Sequence, residues 1–160
     1  MVLRLESSEV WKVMEKQIFG VLGMVNAKGE ARTVGIVYHA RDKKVFIATD
    51  KETWKTRHVQ GNPHVSMTMV IPKRIPFLPF IKIPSATITF SGVAEVMPAE
   101  DAAEDVRRAL LRGLADDDEL VKTMCIIEVE PQGDFITYGV GVSLIAMRHP
   151  EMARGRAPVK

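Results

Sequence analysis

FIATDKETWKTRHVQGNPHVSMTMV, residues 46–70, decides the fold. Apolar residues run up to Thr49 and Asp50, and a short basic segment follows with Lys51, Lys55, Arg57 and His58. Asn62-Pro63 then stops the helix, because proline cannot continue one and restricts the residue before it. Beyond it the chain alternates, with Val65, Met67 and Met69 on one face and His64, Ser66 and Thr68 on the other. The pattern predicts a strand over 44–49, a helix over 51–60 and a strand over 64–71. Lys51 and Lys55 stand four apart and would share a helix face near the N-terminus. There, free N–H groups and the positive end of the helix dipole suit a phosphate. Thr49 and Thr53 would add hydroxyls at the mouth, and Arg32 would reach it if the preceding strands curl. The plainer alternative is a solvated basic face that binds nothing.

Working outward, Ser7 or Ser8 can cap a helix over 8–17, with Val10, Val13, Met14 and Gln17 on one face. Residues 18–25 read as a strand, Asn26-Ala-Lys-Gly29 as a turn, and 32–39 as a second strand, with a polar turn at 40–43. Loops this short join antiparallel neighbours. Residues 72–84 are a proline-punctuated apolar loop, and 85–97 a long strand with a bulge or bend at Gly92. Pro98 opens a helix to about Leu114, with Glu100, Asp101, Glu104 and Asp105 at its positive end. Asp116-Asp-Asp118 reads as a solvated acidic loop. Residues 123–129, 135–138 and 142–147 complete the strands, and 150–160 is a basic tail. The expected fold is mainly β: a six- to seven-stranded antiparallel split barrel with flanking helices, in a single domain over 1–160.

A net charge of +2, with acidic and basic residues intermixed, argues against a nucleic-acid partner. No stretch reaches the roughly 18 apolar residues that span a bilayer, so no membrane partner is expected. The N-terminus lacks the apolar core of a signal peptide. The lone Cys125, in an apolar run, reads as a core residue and precludes an intramolecular disulfide. A cytoplasmic location is therefore the expectation. No His/Cys cluster has zinc spacing. No catalytic constellation stands out. Ser143 lacks the strand–turn–helix of a nucleophile elbow, Gly139-Val-Gly141 lacks the helix and third glycine of a dinucleotide site, and Glu128 and Glu130 read as one solvated strand face.

Four segments, FGVLGMVNAKGEARTVGIVY, VFIATDKETWKTRHV, NPHVSMTM and ITFSGVAEV, stand in an order and spacing that resembles the pyridoxamine 5′-phosphate oxidase-like family of FMN-binding split barrels. The resemblance implies a homodimer with FMN at the subunit interface and a small-molecule substrate. It implies that Arg32 contacts the phosphate, that Thr33, Val34, Gly35 and Ile36 lay strand backbone along the flavin ring, and that Thr49 and Asp50 lie beside the ring or ribityl chain. Thr53 and Lys55 would hold the phosphate at the helix start, and Thr87 would supply a polar contact. Two departures argue against the oxidase reaction itself. Trp54 stands where the oxidases carry a second basic residue, for which Lys51 could compensate. No tryptophan follows Trp54, and Arg156-Ala-Pro158 only faintly resembles the family's ending. Related branches bind a deazaflavin coenzyme, for which Lys73, Arg74 and Lys82 could line a groove, or haem, for which His39, His58, His64 or His149 would be the axial ligand. The loop over 75–84 would be buried in the dimer interface, cover the flavin, or meet an apolar partner. The expected role is that of an FMN-dependent oxidoreductase, with a non-catalytic flavin- or haem-binding module as the alternative.

Overall fold

The computed structural model describes residues 2–160. Its strands are β1 (Leu3–Arg4), β2 (Phe19–Val25), β3 (Ala31–Val37), β4 (His39–Arg41), β5 (Lys44–Asp50), β6 (His64–Ile71), β7 (Ala86–Pro98), β8 (Met124–Tyr138) and β9 (Arg154–Pro158). Its α-helices are α1 (Ser7–Met14), α2 (Trp54–Gly61), α3 (Glu104–Leu111), α4 (Asp118–Thr123) and α5 (Pro150–Ala153).

The pairing closes a barrel. β3 pairs with β2, β2 with β6, β6 with β7, β7 with β8, and β8 with β5. β4 continues β3 past Tyr38 and pairs with β5, which completes the circuit. β9 adds to β8 antiparallel, and β1 adds to β9 in parallel. Inward positions alternate with outward ones, as a barrel demands, so Leu22, Met24, Met67, Met69, Ile88, Phe90 and Phe135 fill one core. Phe135 stands edge-on to Trp11 and Phe90, at centroid distances of 5.3 and 5.5 Å. α1 closes one end of the barrel, where the buried Tyr38 hydroxyl donates to the Met14 carbonyl at 2.9 Å. α2 closes the other and contributes Val59 to the core. A second apolar cluster, including Phe46, Val106, Leu111, Val121 and Ile126, seats α3 and α4 on the outside of β5 and β8.

The mainly β architecture agrees with the sequence reading, and the boundaries differ for physical reasons. Residues 123–129 and 135–138 belong to one strand. Pro131-Gln132-Gly133 looks like a turn, but Pro131 stays paired with Gly92, and Gly133 takes φ 72° inside a bulge between Thr89 and Ser91 of β7. The bulge expected at Gly92 thus lies on β8, opposite Phe90. Gly92 is instead a close approach, since a Cβ there would sit 2.8 Å from Val129 Cγ1 and 2.9 Å from the Glu130 carbonyl oxygen.

The expected helix over 98–114 is broken. A 3-10 turn (Ala99–Asp101) precedes α3, and Arg112, at φ 51°, ends it. The acidic loop ends in a helix, because Asp117 caps α4 by accepting the Leu120 N–H at 3.1 Å. Residues 142–147 form turns and a 3-10 start, not a strand. The tail contains β9. The first helix begins at Ser7 with Glu6 as its cap. The turn before β5 is the pair Asp42-Lys43, both at positive φ, the geometry of a two-residue hairpin.

Candidate cofactor site

The junction of β5 and α2 is built by short polar side chains. The Asp50 carboxylate accepts the Glu52 N–H at 2.7 Å, an Asx turn that reverses the chain after β5. Thr53 has extended backbone and caps α2 by accepting the Thr56 N–H at 3.4 Å. The Thr53 hydroxyl lies 3.3 Å from that of Thr49 and 2.9 Å from that of Thr56, and Thr56 donates to the Asp50 carbonyl at 3.0 Å. These hydroxyls satisfy one another, and Thr49 is buried. They therefore hold the junction in shape; they are not free donors at a mouth. Buried Cys125 meets Thr56 at 3.7 Å. Burial raises its thiol pKa, while the Thr56 hydroxyl and the charges of Lys51 and Lys55 oppose that rise.

The two lysines differ. α2 begins at Trp54, so Lys51 precedes the helix and the shared-face argument fails. Lys51 Nζ donates to the Lys122 carbonyl at 2.7 Å and lies 3.6 Å from Glu100. Lys55, half-buried in the first turn of α2, makes no hydrogen bond or ion pair among the described residues. Trp54 is largely exposed and packs on His58 at 5.4 Å.

Arg32 lies on β3 opposite Met24, at the barrel end that α2 closes. Its guanidinium pairs with Glu30 at 2.8 Å and reaches the Ala31 carbonyl, not α2. The Glu30 carboxyl is held below its usual pKa by Asn26 and Arg32. Val34 and Ile36 share the inward side of β3, and Thr33 and Gly35 face outward. The outward positions around them form a continuous surface. On β3 these are Thr33, Gly35 and Val37, and on β2 Phe19, Val21, Gly23 and Val25. On β6 they are His64, Ser66, Thr68 and Val70, and on β7 Thr87, Thr89, Ser91, Val93 and Glu95. Glu95 is the one acidic residue among these positions, and none is Lys or Arg. An antiparallel sheet open to water on one face normally carries polar and charged residues there. Phe19 and Val37 are 48% and 54% exposed at its edge.

Thr87 lies at the start of β7, opposite Val70 and Tyr138, away from α2. It lines a groove of about 870 Å³ with Thr89, Ile136 and Tyr138 on one side and Arg4, Arg154 and Arg156 on the other. Thr137, also on the groove, is buried with no partner for its hydroxyl. The sequence reading missed this groove. Its one signal was the alternation Arg154-Gly-Arg156-Ala, which brings the two arginines to one side of a strand. Within one chain, therefore, Thr49, Asp50, Lys51, Thr53 and Lys55 come together, Arg32 to Ile36 form a separate strand, and Thr87 belongs to the groove. No group of His, Cys, Asp and Glu suited to a metal occurs among the described residues. No histidine lines this groove or the smaller one under the 72–84 loop.

A barrel of this kind, with helix α2 after β5, defines a class of split-barrel proteins. A haem-binding protein from Mycobacterium smegmatis matches with a TM-score of 0.69 and 17% identity, over 99% of this chain and 60% of that one. A FAD-binding protein from Mesorhizobium loti matches with a TM-score of 0.60 and 16% identity, over 80% and 91%. An F-420 reductase matches with a TM-score of 0.54 and 18% identity, over 78% and 93%. No curated protein matches the sequence. The sequence profile described as Pyridoxamine 5′-phosphate oxidase matches residues 7–133, and the chain belongs to that family.

Proposed function

We propose that the protein binds FMN between two copies of itself and acts as an oxidoreductase on a small molecule. The observation that carries the reading is Lys55: a half-buried cation with no partner among the described residues, at the start of a helix whose neighbouring hydroxyls are all engaged. A phosphate fits such a place, because helix N–H groups and one cation supply charge-assisted donors. Lys55 and the α2 N-terminus would hold the phosphate, the β3 backbone from Thr33 to Ile36 would lie along the ring, and Thr87 would contact it from the groove. Arg32 would have to leave Glu30 to join the phosphate. A flavin, once bound, supplies the hydride and electron chemistry, and the protein supplies binding and orientation.

The outward face of β7, β6, β2 and β3, with Glu95 its one acidic residue, supports self-association, since a surface mostly of Val, Thr, Ser and Gly is costly to leave in water but easy to pack. Solved relatives of this fold are described as FAD-binding, haem-binding and F-420 reductase proteins. The haem alternative finds no histidine on either groove of this chain. Val21→Glu places a charge in the middle of the face. It should convert a dimer to a monomer in light scattering and abolish FMN binding, with the far-ultraviolet spectrum unchanged. A monomeric native protein, or a Val21→Glu dimer that still binds FMN, would contradict the proposal.

A further inference from the structure

The loop between β6 and β7 carries Lys73, Arg74 and Lys82 and no acidic residue from 72 to 85. It projects apolar side chains into solvent: Phe77 is 99% exposed and Phe80 75%. Phe77 takes φ 65°, a left-handed conformation unfavourable for a bulky residue, and its side chain is turned away from the fold. Beneath the loop lies a groove of about 540 Å³ shared by Ile75, Ile81, Leu144, Ile145 and Met147, with Lys82 and Arg148 also on its lining. Ile145 is itself 77% exposed. None of Lys73, Arg74, Lys82 or Arg148 forms an ion pair among the described residues, and no acidic residue lines the groove.

We propose that this loop docks the protein on an anionic lipid surface. Phe77, Phe80 and Ile145 would enter the interfacial layer, and Lys73, Arg74, Lys82 and Arg148 would meet the head groups. Apolar groups ringed by cations are what peripheral attachment requires: burial supplies one contribution and attraction to anionic lipid a second, and neither alone holds well. Charge decides against a second copy as the occupant. Two such loops, each carrying Lys73, Arg74 and Lys82 with no acidic residue, would repel each other. The sequence-based expectation of no membrane partner rested on spanning segments. It remains true that no described helix is long and apolar enough to cross a membrane. The inference does not depend on the cofactor.

The test is flotation of the full chain with vesicles of equal phosphatidylcholine and phosphatidylglycerol, and with phosphatidylcholine alone. Binding to the anionic vesicles should exceed binding to the neutral ones by roughly tenfold or more. Joint Phe77→Asp and Phe80→Asp substitution should abolish it without changing the mass in light scattering. Lys82→Ala should weaken it roughly fivefold, the worth of one cation near such a surface. Joint Lys73→Ala, Arg74→Ala and Lys82→Ala leaves the apolar tip intact, and keeps the test standing if the aspartate variant misfolds. Absence of flotation, flotation indifferent to lipid charge or to these substitutions, or a change of oligomeric mass in the Phe77→Asp/Phe80→Asp variant would overturn the proposal. The last result would assign the loop to a contact between copies.

Discussion

Lys55→Ala should weaken FMN binding far more than it weakens the fold. Lys55 makes no hydrogen bond or ion pair among the described residues, so its removal strands no group there, and the loss of stability should stay within about 0.5 kcal/mol. In the complex it would donate to a phosphate. A hydrogen bond to a charged group is worth about 1.5–3 kcal/mol, which is roughly a ten- to hundredfold rise in Kd. Lys51→Ala should behave in the opposite way. That ammonium is occupied by the Lys122 carbonyl at 2.7 Å and Glu100 at 3.6 Å. Removing it should cost about 1 kcal/mol of stability, and less in FMN affinity. Flavin-fluorescence titration of the apoprotein gives both affinities, and urea unfolding gives both stabilities. Riboflavin is the internal control: it lacks the phosphate, so Lys55→Ala should leave its affinity unchanged. Equal FMN affinities for Lys55→Ala and the native chain, or an equal loss for riboflavin, would refute the assignment of Lys55 to the phosphate.

Gly92→Ala should destabilise the barrel by about 1–3 kcal/mol, because its Cβ meets Val129 at 2.8 Å and the Glu130 carbonyl oxygen at 2.9 Å; an unchanged urea midpoint would show that β7 and β8 separate more easily than this packing implies. Burial raises the Tyr38 phenol pKa above its ordinary value. The folded state therefore holds that proton more tightly than the unfolded state. The resulting stability is complete below the unfolded pKa of about 10 and is lost as pH rises beyond it. Tyr38→Phe should flatten that alkaline loss and cost about 1 kcal/mol at neutral pH through the hydrogen bond to Met14. Melting curves across the alkaline range would show an identical slope in both proteins if this reasoning is wrong.

Where local chemistry and tertiary pairing agree, the sequence was readable. Asn62-Pro63 ends α2, Gly29 at φ 78° turns β2 into β3, and the alternation from His64 to Ile71 is the alternation of the folded strand. Misreadings arose where pairing overrides local signals. Pro131 and Gly133 interrupt β8 by every local rule, yet β7 runs alongside and holds the strand together through a bulge. β9 has small inward residues, Gly155 and Ala157, and its strand character comes from β8 beside it. The polar turn expected over 40–43 narrows to Asp42-Lys43, because Ala40 and Arg41 pair with β5 as part of β4. At the candidate site, residue types were legible and their employment was not. Lys51 and Lys55 look alike in sequence, and only the helix start at Trp54 and the neighbouring Lys122 carbonyl distinguish them. Similarly, Thr49 and Thr53 look like ligand donors until the distances show them bonded to each other.

The central claim is that this barrel holds a flavin phosphate at the start of α2. Its most direct measurement is a competition: apoprotein incubated with equimolar FMN, haem and deazaflavin coenzyme, desalted, and examined by absorption spectroscopy. The account expects the paired visible bands of oxidised flavin at one FMN per chain, and their loss when Lys55→Ala replaces the native protein. A Soret band, a deazaflavin spectrum, or a flavin signal indifferent to Lys55 would contradict it.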